Sequence, residues 1–138
     1  MAGIHNGPIP TNLCLLSDLG RFSPRSKVRF LGCVTNYSTK TAILTLEHNH
    51  PPGNPLKANV DVNLLITTLK SNETHIGEWI NVMGYITGGQ KRKAVGEEKV
   101  EVSVQALILW SAGAFDLAGY EKSLDQKAAD KRTAQQAS

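Results

Sequence analysis

Catalytic signatures are missing from this sequence. No glycine-rich phosphate loop follows a strand-like run, no Gly-x-Ser-x-Gly occurs, and no acid pair at helical spacing falls in a candidate pocket. Neither an enzyme nor a bound cofactor is therefore expected. Cysteine is scarce: Cys14 and Cys33 lack the paired spacing of a disulfide framework or a zinc knuckle and read as reduced thiols. His48 and His50, two apart, would begin a metal site, with only His75 to complete it; structural zinc needs four ligands, so no metal is expected. No apolar run approaches the roughly 20 residues of a membrane helix. Met1 to Pro10 lacks the basic-then-apolar layout of a secretory leader, which makes an intracellular protein the expectation and leaves the sequons at Asn36 and Asn72 without use. Aromatic residues are few, at 6%, and the net charge of +3 is too small to identify an anionic partner alone.

What remains is ordinary globular composition, 41% apolar and 20% charged, in 138 residues, enough for one core. The strongest pattern is Gly77-Glu78-Trp79-Ile80-Asn81-Val82-Met83-Gly84-Tyr85-Ile86. Ile80, Val82, Gly84 and Ile86 share one parity and Trp79, Asn81, Met83 and Tyr85 the other, as in a half-buried strand that bends at a glycine. Lys27 to Tyr37 repeats the pattern, with Val28, Phe30, Gly32 and Val34 inward, and a turn at Ser38-Thr39-Lys40 leads into a second strand, Thr41 to His48. The proline-rich stretch from His48 to Pro55 is a loop. Ala58 to Leu64 alternates as a third strand, and Leu65, Ile66 and Leu69 then form a short helical face that plugs one end of the barrel. Thr87 to Lys99 reads as a loop, and Val100 to Leu109 as a last strand with Val100, Val102, Val104, Ala106 and Ile108 inward. Val28, Phe30, Val60, Val62, Ile80, Val82, Val102 and Val104 are the expected core.

The ends are simpler. Residues 1–10 are expected to be a flexible arm, and Thr11 to Gly20 a short helical turn. The domain spans 11–132 and includes a helix over 115–132, with a fraying tail over 133–138. Leu117, Tyr120, Leu124 and Ala128 are spaced three, four and four apart, a one-sided stripe that either packs on the chain's own barrel or meets a partner. The partner reading is taken here, with Phe115 beside the stripe and Tyr120 as its aromatic anchor.

Five strands with a short helix between the third and fourth, then a C-terminal α-helix, define an all-β, five-stranded OB-fold barrel. An SH3-like barrel has shorter strands and no helix at that position. OB-folds bind strands across their second and third strands and through flanking loops. Arg21, Arg25, Lys27, Arg29 and Lys40 follow one another with no acid between them. Weak, electrostatic nucleic-acid contacts are expected at Arg29, Lys40, Lys91, Arg92 and Lys93, with Tyr37 as a stacking platform.

The strings Lys27-Val28-Arg29-Phe30-Leu31-Gly32-Cys33-Val34 and Gly77 to Ile86, followed by the C-terminal helix, resemble fungal members of the telomere-capping Ten-one family over about Leu13 to Leu124. The resemblance implies a small OB-fold subunit of the trimeric CST complex, located at chromosome telomeres in the nucleus. Its implied partners are the Stn-one subunit in a heterodimer, the large CST subunit, single-stranded telomeric DNA and, indirectly, DNA polymerase alpha-primase in fill-in synthesis. The smallest subunit of replication protein A is similar in architecture, and an OB-type RNA-binding module is a third reading.

Overall fold

The computed structural model describes residues 10–94 and 97–137, with side chains described for 10–88 and 101–130. The expected flexible arm, apart from Pro10, and the last tail residue, Ser138, thus lie outside the described residues. Alternating sequence becomes five long strands: β2 (Lys27–Ser38), β3 (Ile43–Glu47), β4 (Leu56–Asp61), β5 (Trp79–Ala94) and β6 (Glu97–Ser111). A two-residue β1 (Asn12–Leu13) joins the edge of β2 in parallel. The sheet runs β1-β2-β3-β4-β6-β5, and a further β2–β5 pairing closes it into a barrel. The β4–β6 pairing is parallel and the other long-strand pairings are antiparallel. All eight expected core residues are 0–1% exposed.

Two register shifts set which of the described side chains face in. Thr35 is an extra residue in β2, between the pairs Val34↔Leu46 and Asn36↔Thr45, and beyond it Tyr37 lies opposite the buried Leu44. Leu107 is extra in β6, between Ala106 and Ile108. Inward facing therefore passes from Ala106 to Leu109, and Ile108, expected inward, is 50% exposed. Gly84 sits at that shift, where a Cβ would fall on the Gln105 carbonyl oxygen. Gly32 serves another purpose. β2 is unbroken there, but a Cβ would stand 2.8 Å from Leu46 Cβ and 3.0 Å from Leu16 Cδ1, so the glycine makes room for packing.

Several segments differ from expectation. The third strand begins at Leu56 and ends at Asp61, and the segment after it makes two short 3-10 helices, Asn63–Leu65 and Ser71–Glu73. Leu65 and Leu69 pack on the core, but Ile66 is 49% exposed and does not belong to the plug. The turn expected over Thr11 to Gly20 is β1 followed by a 3-10 helix, Leu16–Arg21, with Leu16 and Leu19 fully buried. The expected loop over 87–99 is mostly a hairpin: β5 runs to Ala94, β6 starts at Glu97, and Lys91, Arg92 and Lys93 pair with Val100, Lys99 and Glu98. This ribbon keeps its backbone ladder through a stretch of glycine and charged residues, so its sequence leaves no apolar period to read. The helix α1 occupies Leu117–Ala137, two residues later at its start and five later at its end than expected. Asp116 caps it, its carboxylate accepting the Gly119 N–H at 3.1 Å.

Phe30 is fully buried among the barrel's aliphatic side chains. Phe30→Ala should lower the unfolding free energy by about 3 to 5 kcal/mol, read by urea denaturation.

Candidate partner and nucleic-acid surfaces

Helix α1 lies against the outside of the barrel and is tied down chemically as well as by packing. Glu121 and Asp125, one turn apart, face the loop after β3. The Nε2 of His48 stands 2.7 Å from the Glu121 carboxylate, and the Nε2 of His50 stands 2.9 Å from that of Asp125. The His48 side chain is almost fully buried, with its ring edge-on to Trp79 at 5.3 Å, and Trp79 in turn meets Phe115 at 6.0 Å. His75, which alone could have completed a metal site with His48 and His50, is exposed, and among the described residues no group of three or more potential ligands could hold a metal ion. The acids that use the two histidines lie on an element far along the chain, so no local spacing in the sequence pointed to them.

The helix stripe divides. Leu124 is buried, while Tyr120 is half-buried with its hydroxyl enclosed. Burial pushes the Tyr120 phenol up to about 12, with Cys14 adding to the rise and Arg29 and the Leu31 backbone opposing it. Leu117 is half-buried, Phe115 is 37% exposed and Ala128 is exposed. Leu124, Lys127 and Ala128 form one wall of a cavity of about 350 Å3 whose other wall includes Leu13, Cys14 and Phe22. The Cys14 thiol is pushed up to about 12, first by burial and then by Asp18.

The residues expected to touch nucleic acid are not gathered in one place. Arg29 is exposed on the outer face between Leu13 and Met83, its guanidinium 5.1 Å over the Trp110 ring. Lys40 is exposed in the turn after β2, at the other end of that strand, roughly 30 Å of extended chain from Arg29. Tyr37 is half-buried against the core, because the extra residue Thr35 turned it inward. The side chains of Lys91, Arg92 and Lys93 lie outside the described residues, although their backbone forms the projecting ribbon. Trp110 under Arg29, and the two histidine–carboxylate pairs, were not singled out from the sequence. The first needed strand register and the second needed the helix's position.

A closed mixed barrel with OB-type strand order, carrying a helix across its outside, defines the class: a small OB-fold protein. The chain belongs to the Ten1 family, described as telomere capping, CST complex subunit, whose model matches residues 1–125. This is a family of non-enzymatic capping subunits. No curated protein sequence matches the chain. Among solved structures it is similar to a chain of the S. pombe Stn1-ten1 complex, with TM-score 0.63 and 22% identity, covering 89% of this chain and 96% of that one. It is also similar to the telomere capping protein Ten1 of S. pombe, with TM-score 0.62 and 22% identity, covering 87% and 99%. A chain from the U. maydis replication protein A structure bound to single-stranded DNA matches with TM-score 0.55 and 18% identity, covering 89% and 94%, and shares the fold.

Two outcomes follow from this geometry. His48→Ala strips a buried partner from Glu121 and should weaken the seating of α1 by about 1 to 3 kcal/mol, seen as faster hydrogen exchange in the helix than in β2. Only the thiolate reacts with alkylating reagents, so a thiol raised from 9.0 to about 12 stays protonated at pH 8, and Cys14 should label far more slowly than the half-exposed Cys33 until the chain is denatured.

Proposed function

We propose that this chain is the small subunit of a telomere-capping complex in the nucleus and pairs with an Stn1-like OB-fold subunit through α1 and the residues that lead into it. That pair joins the large CST subunit on single-stranded telomeric DNA, protects the chromosome end and supports fill-in by DNA polymerase alpha. The observation that carries the reading is the division of the helix stripe. Tyr120 and Leu124 seat α1 on its own barrel, while Phe115, Leu117 and Ala128, at the two ends of the same stripe, are not fully covered by it. Similarity in fold to a chain of the S. pombe Stn1-ten1 complex supports the choice of partner.

On the nucleic-acid side, Arg29, Lys40, Lys91, Arg92 and Lys93 are proposed as electrostatic contacts rather than base readers. Cations on separate surfaces suit a backbone that passes over the protein without a single deep site. Tyr37, turned toward the core, is left with a minor stacking role. Most of the affinity then belongs to the assembled complex.

Phe115→Glu with Ala128→Glu alters exposed positions and should leave the fold intact while abolishing co-purification with the co-expressed Stn1-like subunit. Retained co-purification of the folded variant would remove α1 from the interface. Changing Lys91, Arg92 and Lys93 together to alanine should lower single-strand affinity of the complex and flatten its salt dependence by about 0.7 for each phosphate that is no longer neutralised. An unchanged slope would take the ribbon out of the DNA path.

A further inference from the structure

Outside the surfaces described above, Pro24, Arg25, Tyr85, Ile86, Thr87 and Gln105 line an open hollow of about 450 Å3. Strand register builds its floor. Tyr85 pairs with Lys27 on β2 and with Gln105 on β6. Residues opposite each other on neighbouring strands share a face, so a cation, an aromatic ring and an amide stand in a row on the outside of the barrel. The chain entering β2 adds the rim. Arg25 has a φ of 78°, which a residue with a side chain rarely adopts. It is fixed there because its N–H donates to the Ile86 carbonyl at 2.8 Å, and the Ile86 N–H donates to the Ser26 carbonyl at 2.9 Å.

Among the described residues, the Arg25 guanidinium, the Lys27 ammonium, the Tyr85 hydroxyl and the Gln105 amide have neither a side-chain hydrogen bond nor an ion pair. Asp61, the next residue across from Gln105, has a carboxylate oxygen already taken by the Asn63 N–H at 2.9 Å and the Asn63 amide at 2.8 Å.

We propose that this hollow is a nucleotide subsite for one residue of a bound single strand. The base stacks on the Tyr85 ring, an interaction open to any base because each presents a π-face. The Gln105 amide, donor and acceptor together, meets the base edge, and Arg25 and Lys27 take the flanking phosphates. The volume falls in the range of about 300 to 1,000 Å3 usual for small-molecule sites. Of the lining residues Arg25 carries the positive charge and Tyr85 and Gln105 the ring and the amide, while Lys27 stands beside the hollow, across from Tyr85 on the neighbouring strand. The same strand β5 continues from Tyr85 into the ribbon, with Lys91 roughly 20 Å further along its backbone. This inference rests on the single-strand reading above and adds a site to it.

The test is fluorescence anisotropy of the full chain, alone and with its partner subunit, against thymidine and uridine oligomers of about 12 nucleotides. Tyr85→Ala should weaken binding about tenfold and Tyr85→Phe less than about twofold, because the ring and not the hydroxyl does the stacking. Arg25→Gly keeps the backbone unstrained at its positive φ, and should both weaken binding and reduce the salt slope by about 0.7, the share of one phosphate. A preference between the two oligomers identifies which nucleic acid fills the site. If Tyr85→Ala and Arg25→Gly bind like the wild type while the triple alanine change in the ribbon loses affinity, the subsite is refuted and the strand reading stands. If the wild type binds neither oligomer in either form, both fall.

Discussion

The barrel exists because one strand is shared between two partners. From Lys27 to Cys33, β2 pairs with β5; from Cys33 to Ser38 it pairs with β3, and Cys33 belongs to both ladders. An extended chain can serve two directions only if it coils between them, and the close packing of Gly32 on Leu46 and Leu16 allows that approach. The extra residue Thr35 completes the turn of direction. Closure then encloses Phe30 and Val34 with the inward faces of the other strands, and it leaves an outer surface on which β1 and α1 rest.

The parts of this arrangement that alternate were legible in the sequence. Val28 and Phe30, Val60 and Val62, Ile80 and Val82, and Val102 and Val104 each lie on an apolar parity, and all are buried. What alternation cannot register is a change of phase. One extra residue, Thr35 or Leu107, moved Tyr37 inward and Ile108 outward, and neither residue carries a composition signal such as glycine that marks it. The ribbon beyond Ile86 was unreadable for a different reason, since Gly88, Gly89 and the charged run Lys91-Arg92-Lys93 give no apolar alternation while the ladder pairs through the backbone. The helix stripe was visible, but which side of it meets the barrel depends on Glu121 and Asp125 finding His48 and His50, contacts between segments distant in the chain.

Those contacts bear on function. An isolated helix with so few apolar residues is marginal in water, so α1 depends on tertiary contacts for its order. The enclosed ring of His48, between the Trp79 ring and the Glu121 carboxylate, fixes where the helix begins to cross the barrel. Under the pairing proposed above, a helix held on the barrel would meet its partner at a set angle and lose little conformational freedom on binding. The barrel's outer face, with Arg29 stacked on Trp110 and the hollow beside Tyr85, then remains available for contacts of a different kind.

The proposed double role of α1, strap and interface at once, is tested most directly by hydrogen exchange of the chain, alone and in its purified complex with the Stn1-like subunit. Complex formation should slow exchange along 115–128 more than anywhere in the strands. Protection confined to the β3–β4 face or the ribbon, with α1 exchanging as fast as in the free chain, would contradict it.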